Sequence, residues 1–140
     1  MFDELLRQLL ELTGSVYGFI GEALTNAKGA KYLKTIAITD ISWNEDTHQL
    51  YEKGASAGLE FHNLGTLFGA VVAEGLPVIS NAPAADPRRG GLPEGHPLLN
   101  AFLGLPFFAG DDLIGMVGVA NRPGGYNADV AKFLDPLLVT

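Results

Sequence analysis

Two histidines and one carboxylate, His62, His96 and Asp86, have the side-chain types of a two-histidine, one-carboxylate metal site. Their spacing has none of the compactness of a known metal motif. His96 also precedes Pro97, which biases its backbone toward an extended loop conformation. The sequence therefore predicts no metal site.

The other charged and glycine-rich positions do not form a catalytic set. Asp86 and Glu94 lie in a proline-rich segment, whereas catalytic carboxylates need rigid positioning to tune their pKa values. Asp86 is interpreted as a turn residue before a proline, with a polar contact to a ligand as the alternative. Arg88–Arg89 is interpreted as a solvent-facing tip rather than an anion site. Gly124–Gly125 is interpreted as a turn, because no nucleotide-binding spacing accompanies it.

Composition excludes several function classes. The chain has 140 residues and no cysteine, so disulfides, thiolate metal sites and cysteine nucleophiles are all excluded. The net charge of −7 argues against a nucleic-acid partner, which requires a basic patch. No apolar run is long enough to span a membrane. We expect a single cytoplasmic domain, residues 1–140, with no membrane partner.

The segment from Asn81 to Pro97 is the most unusual part of the chain. Four of the eight prolines fall within it. A structureless loop of about fifteen residues is uncommon in a compact domain and usually acts as a lid or binding loop. We therefore expect this segment to cover a binding site.

Hydrophobic periodicity and turn residues predict the elements around this segment. Predicted helices cover residues 2–12, 64–74 and 127–138, with a brief one at 96–102, and predicted strands cover 15–24, 33–43, 48–53, 78–80, 105–109 and 113–121. Asn127 is predicted to cap the last helix, and Pro136 to bend or end it. Because hairpins dominate, the fold class is α+β with a mostly antiparallel sheet.

Five motifs in this order resemble the GAF domain, in the variants attached to bacterial sensor histidine kinases, diguanylate cyclases and related signalling proteins. They are Pro77-Val-Ile-Ser-Asn, Asp86-Pro-Arg, Gly91-Leu-Pro-Glu-Gly-His-Pro97, Phe102-Leu-Gly-Leu-Pro106 and Gly115-Met-Val-Gly-Val-Ala-Asn-Arg-Pro-Gly-Gly-Tyr126. The resemblance covers roughly residues 13–138.

The resemblance implies a six-stranded antiparallel sheet with the N- and C-terminal helices on one face. The other face would form a small-molecule pocket, roofed by the middle helix and the segment from Asn81 to Pro97. It also implies a regulatory module that passes a conformational change through its terminal helices. Dimerisation through those helices is common in the family, so a homodimer is expected, with an output signalling domain in a longer parent chain as a further possible partner.

Three ligand classes of the family are weakened or removed. A bilin thioether and methionine sulfoxide reduction both need cysteine, which this chain lacks. The Asn-Lys…Phe…Asp-Glu signature of cyclic-nucleotide-binding GAF domains is absent. Some GAF domains bind haem through one histidine, so a haem-based gas sensor using His62 or His96 stays an alternative. The cofactor is otherwise unassigned.

The leading hypothesis is a non-enzymatic, small-molecule-sensing domain in signal transduction. The second is a dimerisation or docking module without a ligand, and an enzyme ranks last because no nucleophile–base pair supports it. The predicted ligand-binding residues are Phe61, His62, Phe68, Asn81, Asp86, His96, Phe102 and Met116.

Overall fold

Six strands form a single antiparallel sheet in the computed structural model, which describes residues 2–39, 45, 47–49, 51–52, 58–62, 64–86 and 99–138. The strands are β1 (Tyr17–Thr25), β2 (Lys31–Ile38), β3 (Glu60–Phe61), β4 (Val78–Ser80), β5 (Phe102–Ala109) and β6 (Asp112–Ala120). Their order across the sheet is β3-β2-β1-β6-β5-β4. The main helices are α1 (Phe2–Thr13), α2 (Leu67–Glu74) and α3 (Ala128–Leu138). The predicted α+β fold with a six-stranded antiparallel sheet is confirmed.

One face of the sheet packs against both terminal helices. Leu6 and Leu9 of α1 and Leu134 of α3 are buried in one cluster. The sheet residues of this cluster include Ile20, Leu103, Leu105, Val117 and Val119, and the surface they form is called here the terminal-helix face. Burying each leucine stabilises the fold by about 1.5–3 kcal/mol. The predicted placement of the two end helices on one side is confirmed.

The opposite face of the sheet packs against α2. Its buried residues include Leu33, Phe102 and Met116, and the surface they form is called here the α2 face. Thr66 caps the helix, since its Oγ1 accepts a hydrogen bond from the Gly69 backbone N–H at 2.9 Å. Gly75 ends the helix in the left-handed conformation at φ 66°. The helix was predicted to begin at Leu64, three residues too early.

Neighbouring residues of the central strands serve opposite faces. Phe102 packs on the α2 face while Leu103 packs on the terminal-helix face, and Met116 and Val117 divide in the same way. The register between β1 and β2 shifts between Ile20 and Gly21. Such a shift exchanges the faces that a strand presents. It explains why Leu33 and Ala37 of β2 join clusters on different sides of the sheet.

The predicted third strand at residues 48–53 is wrong over its described residues. Residues 47–49 and 51–52 are helical, and the third strand is the short β3 at Glu60–Phe61. Two side-chain pairs spaced four residues apart favour the helix: Gln49 Nε2 donates to Glu45 Oε1 at 3.0 Å, and His48 lies 3.9 Å from Glu52. Helical spacing in this segment therefore outweighs its short alternating pattern.

Two other predictions need correction near the C-terminal half. The brief helix predicted at 96–102 is wrong over its described part, because residues 99–101 are not helical and Phe102 begins β5. Residues 96–98 lie outside the described residues. Pro136 does not end α3, which runs to Leu138. The cap of this helix is confirmed, since Asn127 Oδ1 accepts from the Val130 backbone N–H at 3.1 Å.

Among the described residues, no helix combines the length and the apolar character needed to cross a bilayer.

Candidate functional site

The α2 face carries a group of three aromatic rings that are partly open to solvent. Phe61 of β3 and Phe68 of α2 meet edge to face, with ring centroids 4.9 Å apart. Phe68 also meets Phe19 of β1 at 6.2 Å, with the two rings nearly perpendicular. All three side chains are half-buried. Together they present a surface that can contact an apolar or planar group.

The centre of the α2 face is filled by side chains that lie over two paired glycines. Gly104 of β5 and Gly118 of β6 are cross-strand partners. A Cβ atom at Gly118 would lie 2.6 Å from a Phe19 ring carbon, and one at Gly104 would lie 2.6 Å from Val71 Cγ2. The glycines therefore allow the aromatic rings and α2 to approach the sheet closely. Phe102 is almost fully buried in this region.

A second group of aromatic residues lies at the end of the α2 face formed by Tyr17 and Ala120. Two further side chains pack against them: Tyr51, which belongs to the helical residues after β2, and Leu99, which lies just before β5. Burial raises the pKa of Tyr17 well above its usual value. Tyr17 is therefore a neutral phenol at physiological pH.

One hydroxyl-bearing residue of the α2 face, Ser80, is buried. Ser80 pairs with Phe102 across β4 and β5, so both side chains point to the same face. Ser80 is 5% exposed. Ser80 therefore places one polar group among the apolar side chains of this face.

Four of the eight predicted ligand-binding residues are brought together by the fold. Phe61, Phe68, Phe102 and Met116 all belong to the α2-face cluster. Phe61 and Phe68 are half-buried, whereas Met116 has no exposed surface. A bound molecule would therefore contact the first two directly and would affect Met116 through packing.

The polar residues of the predicted set lie elsewhere or already have partners. His62 is 57% exposed at the sheet edge, stacked on Tyr32 at 4.7 Å and 3.1 Å from Glu60. The Asn81 side chain bonds the backbone of Tyr126. Asp86 is half-buried after the 3₁₀ turn Pro83–Ala85, and His96 lies outside the described residues. In the part of the chain that the structure describes, no three His, Cys, Asp or Glu side chains converge as a metal site.

Sequence reasoning missed three aromatic residues of this site, Phe19, Tyr17 and Tyr51. The first two are spaced two residues apart in β1 and so lie on the same face of the sheet. This spacing could have identified Tyr17 and Phe19 as neighbours on one face from the sequence alone. Tyr51 was assigned to a strand, which concealed its contact with Tyr17.

Comparison with known proteins gives the class of this chain. The family model described as GAF domain matches residues 1–139. The chain therefore belongs to the GAF-domain family, whose members are known in signalling and sensing proteins. No curated protein matches the chain.

Solved structures with this fold include the GAF domains of two phosphotransferases and a reductase. The GAF domain of a Coxiella burnetii phosphoenolpyruvate-protein phosphotransferase is 14% identical, with a TM-score of 0.74 over 98% of this chain and 75% of that one. Its counterpart from Acinetobacter is 17% identical, with a TM-score of 0.70 over 98% and 74%. A type II free methionine-R-sulfoxide reductase from Thermoplasma acidophilum is 14% identical, with a TM-score of 0.69 over 97% and 83%. At these identities the similarity concerns the fold.

Proposed function

We propose that this protein is a non-enzymatic regulatory domain that binds a small molecule on the α2 face. The observation that carries the proposal is the division of the sheet. Half-buried aromatic rings and the buried Ser80 occupy one face, and both terminal helices pack on the other. The absence of cysteine from the sequence removes thiol chemistry, including the cysteine-dependent reduction of methionine sulfoxide.

The ligand that fits this face has an apolar or planar part and a polar group. Phe19, Phe61 and Phe68 provide the apolar surface, with edges and faces that suit a ring or a branched chain. Ser80 provides one hydroxyl that can donate or accept a hydrogen bond. Binding sites for small molecules are mostly apolar, with a few polar groups that fix the orientation of the ligand.

The proposed response uses the alternation of the central strands. A ligand that displaces Phe102 moves the backbone that also carries Leu103, which contacts the terminal-helix cluster. The ligand must bind one arrangement of the strands better than the other, because equal affinity for both shifts no population. The terminal helices would then change their packing.

Methyl NMR of the two methionines tests where a ligand binds. We expect the compound that most raises the melting temperature, within a library of amino acids, carboxylic acids, nucleotides and inorganic oxyanions, to shift the Met116 methyl signal. A Met116→Leu variant, which conserves side-chain volume, assigns the two signals. Phe68→Leu is expected to weaken binding about tenfold, equal to about 1.4 kcal/mol, because it removes a ring that faces the ligand.

Phe2→Leu is the matched control, since Phe2 is exposed on α1 and away from the α2 face. It should leave the affinity unchanged. A stabilising compound that leaves Met116 unshifted, or one whose affinity falls equally in both variants, would contradict binding at this face.

A docking module without a ligand is the second candidate function. The filled centre of the α2 face favours it, because Phe102, Met116 and Val71 leave little exposed surface there. The same NMR experiment separates the two functions. A docking module predicts that no library compound shifts Met116.

A further inference from the structure

A seven-residue connector between β6 and α3, residues 121–127, bonds to several parts of the fold at once. Its first partner is Asn81, which directly follows β4. Asn81 Oδ1 accepts from the Tyr126 backbone N–H at 2.8 Å, and Asn81 Nδ2 donates to the Tyr126 carbonyl at 2.9 Å. This two-bond clamp fixes the end of β4 next to Ser80, which lies on the α2 face.

The second partner of the connector is the chain just before β5. Asn121 Oδ1 accepts from the backbone N–H groups of Asn100 at 2.7 Å and Ala101 at 3.2 Å. The Asn121 N–H donates to the Ala101 carbonyl at 2.9 Å. Asn121 adopts the left-handed conformation at φ 64°, which asparagine tolerates better than most residues. These Asn121 bonds hold the chain up to Ala101, which is one residue before Phe102 of the α2 face.

The third partner is the C-terminal end of α1, reached through a row of hydroxyl groups. Thr13 Oγ1 donates to the Leu9 carbonyl at 2.8 Å. Ser15 Oγ lies 2.6 Å from Thr13 Oγ1 and 2.6 Å from Tyr126 Oη. Each hydroxyl has one proton, so Ser15 donates to Thr13, and Tyr126 donates to Ser15. The bonds therefore run in one direction from Tyr126 to the last turn of α1.

The fourth partner is α3. Asn127 caps its first turn with both its side chain and its carbonyl. The Tyr126 ring is buried in the terminal-helix cluster together with Leu9 and Leu134. Burial also raises the pKa of the Tyr126 phenol, which keeps the proton that it donates to Ser15.

We propose that residues 121–127 are the element that couples the α2 face to both terminal helices, with Tyr126 as the central positioning residue. Its backbone holds the residue after Ser80, and its hydroxyl holds the end of α1. A displacement at the ends of β4 or β5 therefore reaches α1 through hydrogen bonds as well as through the core. The inference rests on the proposed function, because it names the route by which a ligand signal would travel.

Hydrogen exchange of the unliganded protein tests this coupling. In Asn81→Ala, we expect the Ser15 backbone amide, which bonds to the Leu10 carbonyl and not to Asn81, to exchange about fivefold faster or more. In Ser15→Ala, the Tyr126 amide, which bonds to Asn81, is expected to exchange faster by a similar factor. The second variant gives an independent reading from the other end if Asn81→Ala does not fold.

Asn26→Ala is the matched control. Asn26 also clamps two backbone N–H groups, those of Lys28 and Ala30, but in the β1–β2 hairpin. It should leave Ser15 exchange unchanged. Exchange at Ser15 that is equal in Asn81→Ala and Asn26→Ala would overturn the coupling, and so would an equal acceleration at Leu33 in β2, which would indicate a global loss of stability. Because no ligand is used, a failure of this experiment is separate from a failure of ligand binding.

Discussion

Leu9→Ala is expected to lower the free energy of unfolding by about 2–5 kcal/mol. Leu9 is 1% exposed and lies in the cluster that joins α1 and α3 to the sheet. Truncation removes buried methyl groups and leaves a cavity between rigid elements, and both effects favour the unfolded state. Urea unfolding followed by circular dichroism measures the change, with an unchanged slope required for a simple interpretation.

Leu12→Ala is the control on the same helix. Leu12 is 52% exposed, so its truncation should change stability by less than about 1 kcal/mol. The difference in unfolding free energy between the two variants therefore reports which side of α1 faces the sheet. Equal losses for Leu9 and Leu12 would place the buried side of α1 elsewhere.

Gly69→Ala is expected to destabilise the protein by about 1–3 kcal/mol or more, as overpacking does. Alanine normally stabilises a helix relative to glycine, by about 1 kcal/mol. At this position, however, a Cβ atom would lie 2.2 Å from the Leu64 carbonyl oxygen, so the backbone must move. Leu64 packs against the α2-face cluster, which resists that movement. Thermal and urea unfolding both measure the effect.

Ala73→Gly provides the comparison within α2. Ala73 is exposed, so the reverse substitution should cost about 1 kcal/mol through helix propensity. A Gly69→Ala variant that is more stable than the natural protein would show that Leu64 does not approach the helix in this way.

The sequence predicted the elements whose signals are local. The amphipathic pattern of α1, the β5–β6 hairpin and the Asn127 cap all depend on residues within a few positions of one another. The resemblance to GAF domains supplied the sheet and the side on which the end helices pack. Neither the local patterns nor the family resemblance requires knowledge of individual long-range contacts.

The wrong predictions concern helical segments, where local helix signals were not recognised. Residues 47–49 and 51–52 are helical, and Tyr51 packs on Tyr17 and Ala120, which are far away in sequence. The start of α2 was placed too early because the cap at Thr66 was not recognised.

The candidate site was predictable in its residue types but less so in its polar contacts. Phe61, Phe68, Phe102 and Met116 do share one face. The sequence could not show which strand residues face which side, since both faces are apolar and covered by helices. Asn81 illustrates the difficulty, because its amide is bonded to the backbone of Tyr126, 45 residues away.

The central claim is that a molecule bound on the α2 face changes the packing of the terminal helices on the other face. Hydrogen exchange with and without the most stabilising library compound tests it directly. The account predicts slower exchange in α2 together with a change of about fivefold or more in α1. Protection of α2 with α1 exchange unchanged, or a change in α1 without any in α2, would contradict it.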